Sequence, residues 1–156
     1  MRLFLTFLFL FTGCAHKELR PPVGGGLFPF GTYQHNVKIT TPDRTMEMRG
    51  VVSYRADQIK VIGLTAFGAT AFRIEGANGV IKKEFYLDII KKHEDRFMYF
   101  YQMIRELITA PKGEIDFTRQ GSHFLLSQPD ANGIYKNIHV THPQFTLNIE
   151  VTDYEF

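Results

Sequence analysis

Residues 32–54 read TYQHNVKITTPDRTMEMRGVVSY, and their period decides the fold. Tyr33, His35, Val37 and Ile39 alternate with polar residues, and Pro42-Asp43 makes a turn. Met46, Met48, Gly50, Val52 and Tyr54 then alternate with Glu47, Arg49 and Ser53. A period of two marks a half-buried antiparallel strand, and a short turn between two such runs makes a hairpin. The fold begins as sheet.

Further along, Ala56-Asp57 is another turn, followed by Gln58 to Leu64 with apolar residues on both faces. Ala71 to Glu75 is a further strand. Gly76-Ala77-Asn78-Gly79 supplies the positive-φ residues of a hairpin turn, and Val80 to Phe85 returns across it. The period then switches. Phe97, Phe100, Tyr101, Ile104, Leu107 and Ile108 form the apolar stripe of a helix. Asp95 at its start suits the helix dipole, and Pro111-Lys112-Gly113 stops it. Glu114 to Phe117, Ser122 to Gln128, Ile134 to Val140 and Gln144 to Thr152 return to strand, with a turn at Asn132-Gly133 and a break at Pro143. The expected class is α+β, mostly β. About seven to nine antiparallel strands would form a curved sheet whose concave side takes the helix.

The other end of the chain has a different character. Arg2 precedes an apolar run, Leu3 to Phe11, broken only by Thr6; Thr12 and Gly13 then lead into Cys14, the only cysteine of the 156 residues. A charged start, a short apolar segment and small residues make a secretory signal. The run is too short to span a bilayer, which takes roughly 20 residues. Phe11-Thr12-Gly13-Cys14 resembles the lipobox of bacterial lipoproteins, where the signal is removed before a cysteine that receives lipid. The resemblance implies residues 1–13 as signal peptide and Cys14 as the lipidated first residue of the mature chain. With Ala15 rather than aspartate next, it also implies the outer membrane, with the domain facing the periplasm. Residues 14–31 carry paired prolines and three successive glycines and read as a tether. Leu27, Phe28 and Phe30 are large enough to staple its end to the domain that spans residues 32–156.

The formal charge is +2 with Arg2 included, so the mature domain is close to neutral and nucleic acid is an unsuitable partner. With Cys14 lipidated no thiol remains for a disulfide, and the core must hold the fold alone. About 125 residues after Gly31 suffice for a monomer.

Val61 to Glu75, VIGLTAFGATAFRIE, carries a second resemblance. A strand, a loop of apolar-Gly-small type and a second strand running into a Gly-Asn-Gly turn are similar to the third and fourth strands of the lipoprotein-localisation family, LolA/LolB. Leu64-Thr65-Ala66-Phe67-Gly68-Ala69-Thr70 is its most specific part. The family implies a half-closed antiparallel barrel with helices over an apolar cavity that holds acyl chains. In its outer-membrane branch a protruding loop inserts an exposed leucine into the bilayer, and Phe67, flanked by Leu64 and Gly68, stands at that place.

Phe67 therefore reads either as core at a hairpin end or as a membrane-touching tip. Met46, Met48, Phe72, Phe97, Phe100, Tyr101, Ile104 and Leu107 read either as core or as the lining of an acyl cavity. Lys82-Lys83 and Lys91-Lys92 are a solvated face or a contact for anionic headgroups. His139 and His142 lack a carboxylate to complete a metal set, and Ser122-His123 lacks a nucleophile-elbow context. No cofactor and no enzymatic activity are expected. The implied function is binding of acyl chains, or of the lipid moiety of lipoproteins, and their insertion into the outer membrane; a periplasmic carrier is the implied partner. A scaffolding lipoprotein with a self-filled core that binds a protein is the other reading.

Overall fold

The computed structural model describes residues 26–156; the expected signal, Cys14 and most of the expected tether lie outside them. Nine strands and two helices follow one another as β1 (Gly31–Thr40), β2 (Thr45–Arg55), β3 (Gln58–Leu64), β4 (Thr70–Ala77), β5 (Val80–Phe85), α1 (Asp88–Lys91), α2 (Glu94–Thr109), β6 (Asp116–Arg119), β7 (Ser122–Pro129), β8 (Tyr135–His142) and β9 (Phe145–Glu155). The strands make one antiparallel sheet in the order β5-β4-β3-β2-β1-β9-β8-β7-β6. Two meanders, β1 to β5 and β6 to β9, thus meet where β1 pairs with β9.

That order explains the helix. After β5 the chain stands at one edge of the sheet and must resume at the other with β6. Eight inter-strand gaps make about 38 Å of sheet, and a 16-residue α2 covers about 24 Å of the crossing. Its apolar stripe is what lets it lie on the sheet rather than loop around it. Tyr101, Met103, Ile104, Leu107 and Ile108 are buried in one cluster with Val37, Val52, Val61, Phe72, Ile74, Ile138, Val140, Leu147 and Ile149. Phe97 packs its ring 4.8 Å from Phe72, and Tyr99 sits 6.0 Å from Phe145 on the other meander.

Of the expected half-closed barrel, the antiparallel order and the helix over one face are present, but closure is not. Among the described residues, strand β5 pairs only with β4, and the four-residue β6 only with β7. The chain that would have to bring these edges together is used to cross the face. One element escapes the sequence reading: α1, a single turn whose Leu87-Asp88-Ile89-Ile90 run is too short to show a period.

The boundary of the folded unit also shifts. Leu27 and Phe28 are buried among the core residues, and Phe28 meets Tyr33 edge-on at 5.5 Å. The Tyr33 hydroxyl donates to the Pro29 carbonyl at 2.6 Å. The domain therefore starts at least at Leu27, because three large apolar residues beside the first strand are worth more buried than solvated.

Candidate functional site

The hairpin between β3 and β4 ends in Thr65-Ala66-Phe67-Gly68-Ala69. The Gly68 amide donates to the Thr65 carbonyl at 2.9 Å, and the Thr65 amide to the Ala69 carbonyl at 2.8 Å. The Ala69 amide donates to the Thr65 hydroxyl at 3.1 Å. Gly68 has φ +82°, a conformation open to glycine and costly for other residues. The turn is thereby rigid, and it holds Phe67 away from every neighbour: its side chain is 98% exposed. Leu64, half-buried at the base, closes the strand.

Phe67 has apolar company that the sequence did not announce. Strand β5 leaves the sheet beside the start of β4, where the Tyr86 amide donates to the Ala71 carbonyl at 3.0 Å. This puts the exposed Tyr86, Leu87 and Ile89 at the same end of the sheet as the Phe67 loop. Ile90 turns inward and is buried, which pins α1 to the core. Lys91 and Lys92 follow, both exposed, while Lys83 is paired with Glu94.

The expected cavity residues divide. Met48, Phe72, Phe100 and Ile104 line the enclosed space between α2 and the sheet, together with His35, Val37, Gly50, Val52 and Val61. That space is about 20 Å³, room for about one water. Tyr101 and Leu107 are buried in the packed cluster, and Phe97 is half-buried against Phe72 and Phe85. Met46 is the exception, 36% exposed near the β1–β2 turn. Strand β3 ends at Leu64 opposite Arg49, so residues 45–48 of β2 project past it and Met46 has sheet on one side only.

Among the described residues, His35 is the one buried imidazole. It is buried beneath Phe100 and Ile104, and desolvation lowers its pKa to about 4, a backbone hydrogen bond at Gly50 offsetting part of the shift. Ser122 and His123 lie on opposite faces of β7: Ser122 is buried, 3.0 Å from the Tyr99 hydroxyl, and His123 is exposed, 2.6 Å from Asp116. Among the described residues no group of three or more His, Cys, Asp or Glu side chains is placed to hold a metal ion, and no helix is long and apolar enough to cross a membrane. No protein-family model matches the chain, and no curated protein matches it either.

Proposed function

We propose that this protein works at a bilayer surface, anchored through Cys14 to the outer membrane and touching its interface with the Phe67 loop to assist the insertion of acyl-bearing cargo. The observation that carries the reading is Phe67 itself, a full aromatic ring held in water by a three-bond turn. Burying such a side chain is worth roughly 1.5–3 kcal/mol, which a bilayer interface supplies and the rest of this domain does not. Tyr86, Leu87 and Ile89 at the same end widen the apolar footprint, and Lys91 and Lys92 suit an anionic surface at about 1 kcal/mol each.

Geometry allows anchor and loop to meet one membrane. Strand β1 starts beside Tyr54 and ends beside Thr45, so Gly31 and the Phe67 loop lie at opposite ends of the sheet. Ten residues of strand span about 33 Å. The stretch from Cys14 to Gly26 reaches at most about 40 Å when extended, enough to run back along the domain.

An acyl chain does not fit the interior as it stands. Holding one needs α2 to lift from the sheet along the half-buried Phe97, Met98 and Phe100, opening the 20 Å³ space toward the several hundred Å³ of an ordinary ligand pocket. The same small volume favours the second reading, a scaffold with a self-filled core whose exposed end docks a protein.

The chain has no tryptophan, so Phe67→Trp introduces a single reporter. The full chain with this substitution is reconstituted into phosphatidylethanolamine–phosphatidylglycerol vesicles. Blue-shifted emission quenched by bromines on the acyl chains supports insertion of the loop. Emission typical of water and indifferent to brominated lipid overturns it.

A further inference from the structure

The face of the sheet turned away from α2 carries a groove of about 650 Å³, within the range of small-molecule sites. A strongly twisted sheet is saddle-shaped, so each face is concave along one diagonal. Helix α2 occupies one concavity; the other is open. It runs across β2, β1, β9, β8 and β7, and the register places its side chains in two cross-strand rows. One row is Arg49, Asn36, Glu150, Asn137 and Ser127, and the other is Glu47, Lys38, Asn148, His139 and Leu125.

The chemistry of these rows narrows the ligand. Two cations and two carboxylates leave the groove without net charge, and they are partly spent on each other. Lys38 is 3.3 Å from Glu47, and the Asn36 amide donates to Glu150 at 3.3 Å. A highly charged ligand gains no net attraction there. An apolar one would strip water from amides and carboxylates without replacing their hydrogen bonds. What remains is carboxamide and hydroxyl capacity. Asn148 gives its carbonyl oxygen to His139 at 2.7 Å and keeps its NH₂ free; Asn137 donates to Gln128 at 2.6 Å and keeps its carbonyl free; Ser127 adds a hydroxyl. A free amide NH₂, a free amide carbonyl and a hydroxyl thus lie on the neighbouring strands β9, β8 and β7, spaced about 4.8 Å apart, with Leu125, 42% exposed, as an apolar patch at one end.

We infer that this groove binds a neutral oligosaccharide. Ring hydroxyls both donate and accept, so they satisfy free amide and hydroxyl groups of either kind without needing net charge, and the apolar faces of the rings suit Leu125. A peptide would instead seek the unpaired backbone of a sheet edge, whereas the middle of this groove is β1, β9 and β8, each paired on both sides in the ladder. The inference is independent of the role proposed for Phe67.

Titration calorimetry of the full chain in a non-glycosidic detergent, with maltotetraose, cellotetraose and chitotetraose as probes, tests it. At least one probe is expected to bind with Kd on the order of 1 mM or tighter. Asn137→Ala and Asn148→Ala lie on the open face and are each expected to weaken that binding about tenfold with an unchanged melting temperature. Absence of binding by all three probes overturns the inference. So does binding that persists unaltered in the double variant, since the sugar would then sit elsewhere.

Discussion

The Tyr101 hydroxyl of α2 lies directly over Gly76 of β4, so close that a Cβ built on the glycine would stand 2.0 Å from the phenolic oxygen and 3.2 Å from Cζ. Helix and sheet are thus locked at a point where one strand has no side chain. Burial holds the Tyr101 phenol above its ordinary pKa, as expected of a group sealed in such a contact. Lifting α2 off β4 has to break this contact.

Gly76→Ala is accordingly expected to destabilise the domain by about 1–3 kcal/mol through overpacking. Tyr101→Phe in the same chain removes the nearest atom and should restore part of the loss. Urea denaturation of the parent and the two variants checks this. Equal stability of Gly76→Ala and the parent would mean that α2 does not bear on β4 there.

Phe67→Ser is expected to leave the unfolding free energy within about 0.5 kcal/mol, because an almost fully exposed side chain contributes no packing. Vesicle association of the domain end should fall by about 10- to 100-fold, the equivalent of the transfer energy of the ring. A clear drop in melting temperature would place Phe67 in a packed environment in solution and remove the basis of its proposed role.

His35 makes stability depend on pH with a definite sign. The unfolded imidazole takes up a proton near its ordinary value of 6.5, whereas the buried one resists until about 4. Between these values the unfolded state binds more protons, so stability rises with pH across the window. It is fully present above 6.5, declines as pH falls, and is lost at about 4. The total is on the order of 3 kcal/mol. Denaturation midpoints at intervals from pH 7.5 to 4, compared with His35→Gln, isolate the effect: the slope should flatten in the variant.

Leu27 and Phe28 predict where the folded unit starts. A chain beginning at Thr32 loses both buried side chains, and Phe28→Ala alone should cost about 3–5 kcal/mol. Comparing melting temperatures of chains beginning at Gly26 and at Thr32 decides whether these residues belong to the core.

Deleting Ala15 to Val23 leaves too little chain to run back along β1. Lipid anchoring through Cys14 should survive, while quenching of Phe67→Trp by brominated acyl chains should disappear. Retained quenching would show that the loop reaches the bilayer by another route.

Strands such as β1 and β9 were legible in the sequence because each buries one face, and the alternation of Phe145, Leu147, Ile149 and Val151 or of Tyr33, His35 and Val37 records that face directly; β5, exposed along nearly its whole length, was legible only from the turn before it. The helix was legible for the same reason at its own period, and Pro111 marked its end. The exposed position of Phe67 was one of two readings, and only the turn closed by Thr65, Gly68 and Ala69 chose between them. Met46 looked like its neighbour Met48, yet it lies three residues beyond Arg49, the last position of β2 that β3 covers, where Met48 lies only one beyond, a fact of register between distant segments that no local pattern encodes.

By itself, then, the sequence determined the order of the strands, the place of the long helix and the apolar side of the strands that bury one, since local periodicity is set by the residues themselves; the single turn of α1 was too short to show any. The tertiary structure alone decided the open edges at β5 and β6, the filled space under α2, the end of the sheet that Phe67 shares with Tyr86, Leu87 and Ile89, and the polar rows of the outer face. Each depends on which strands become neighbours and in what register. That choice belongs to the packing of the whole chain, because pairing energies are shared between segments more than a hundred residues apart, as Asn36 and Glu150 are.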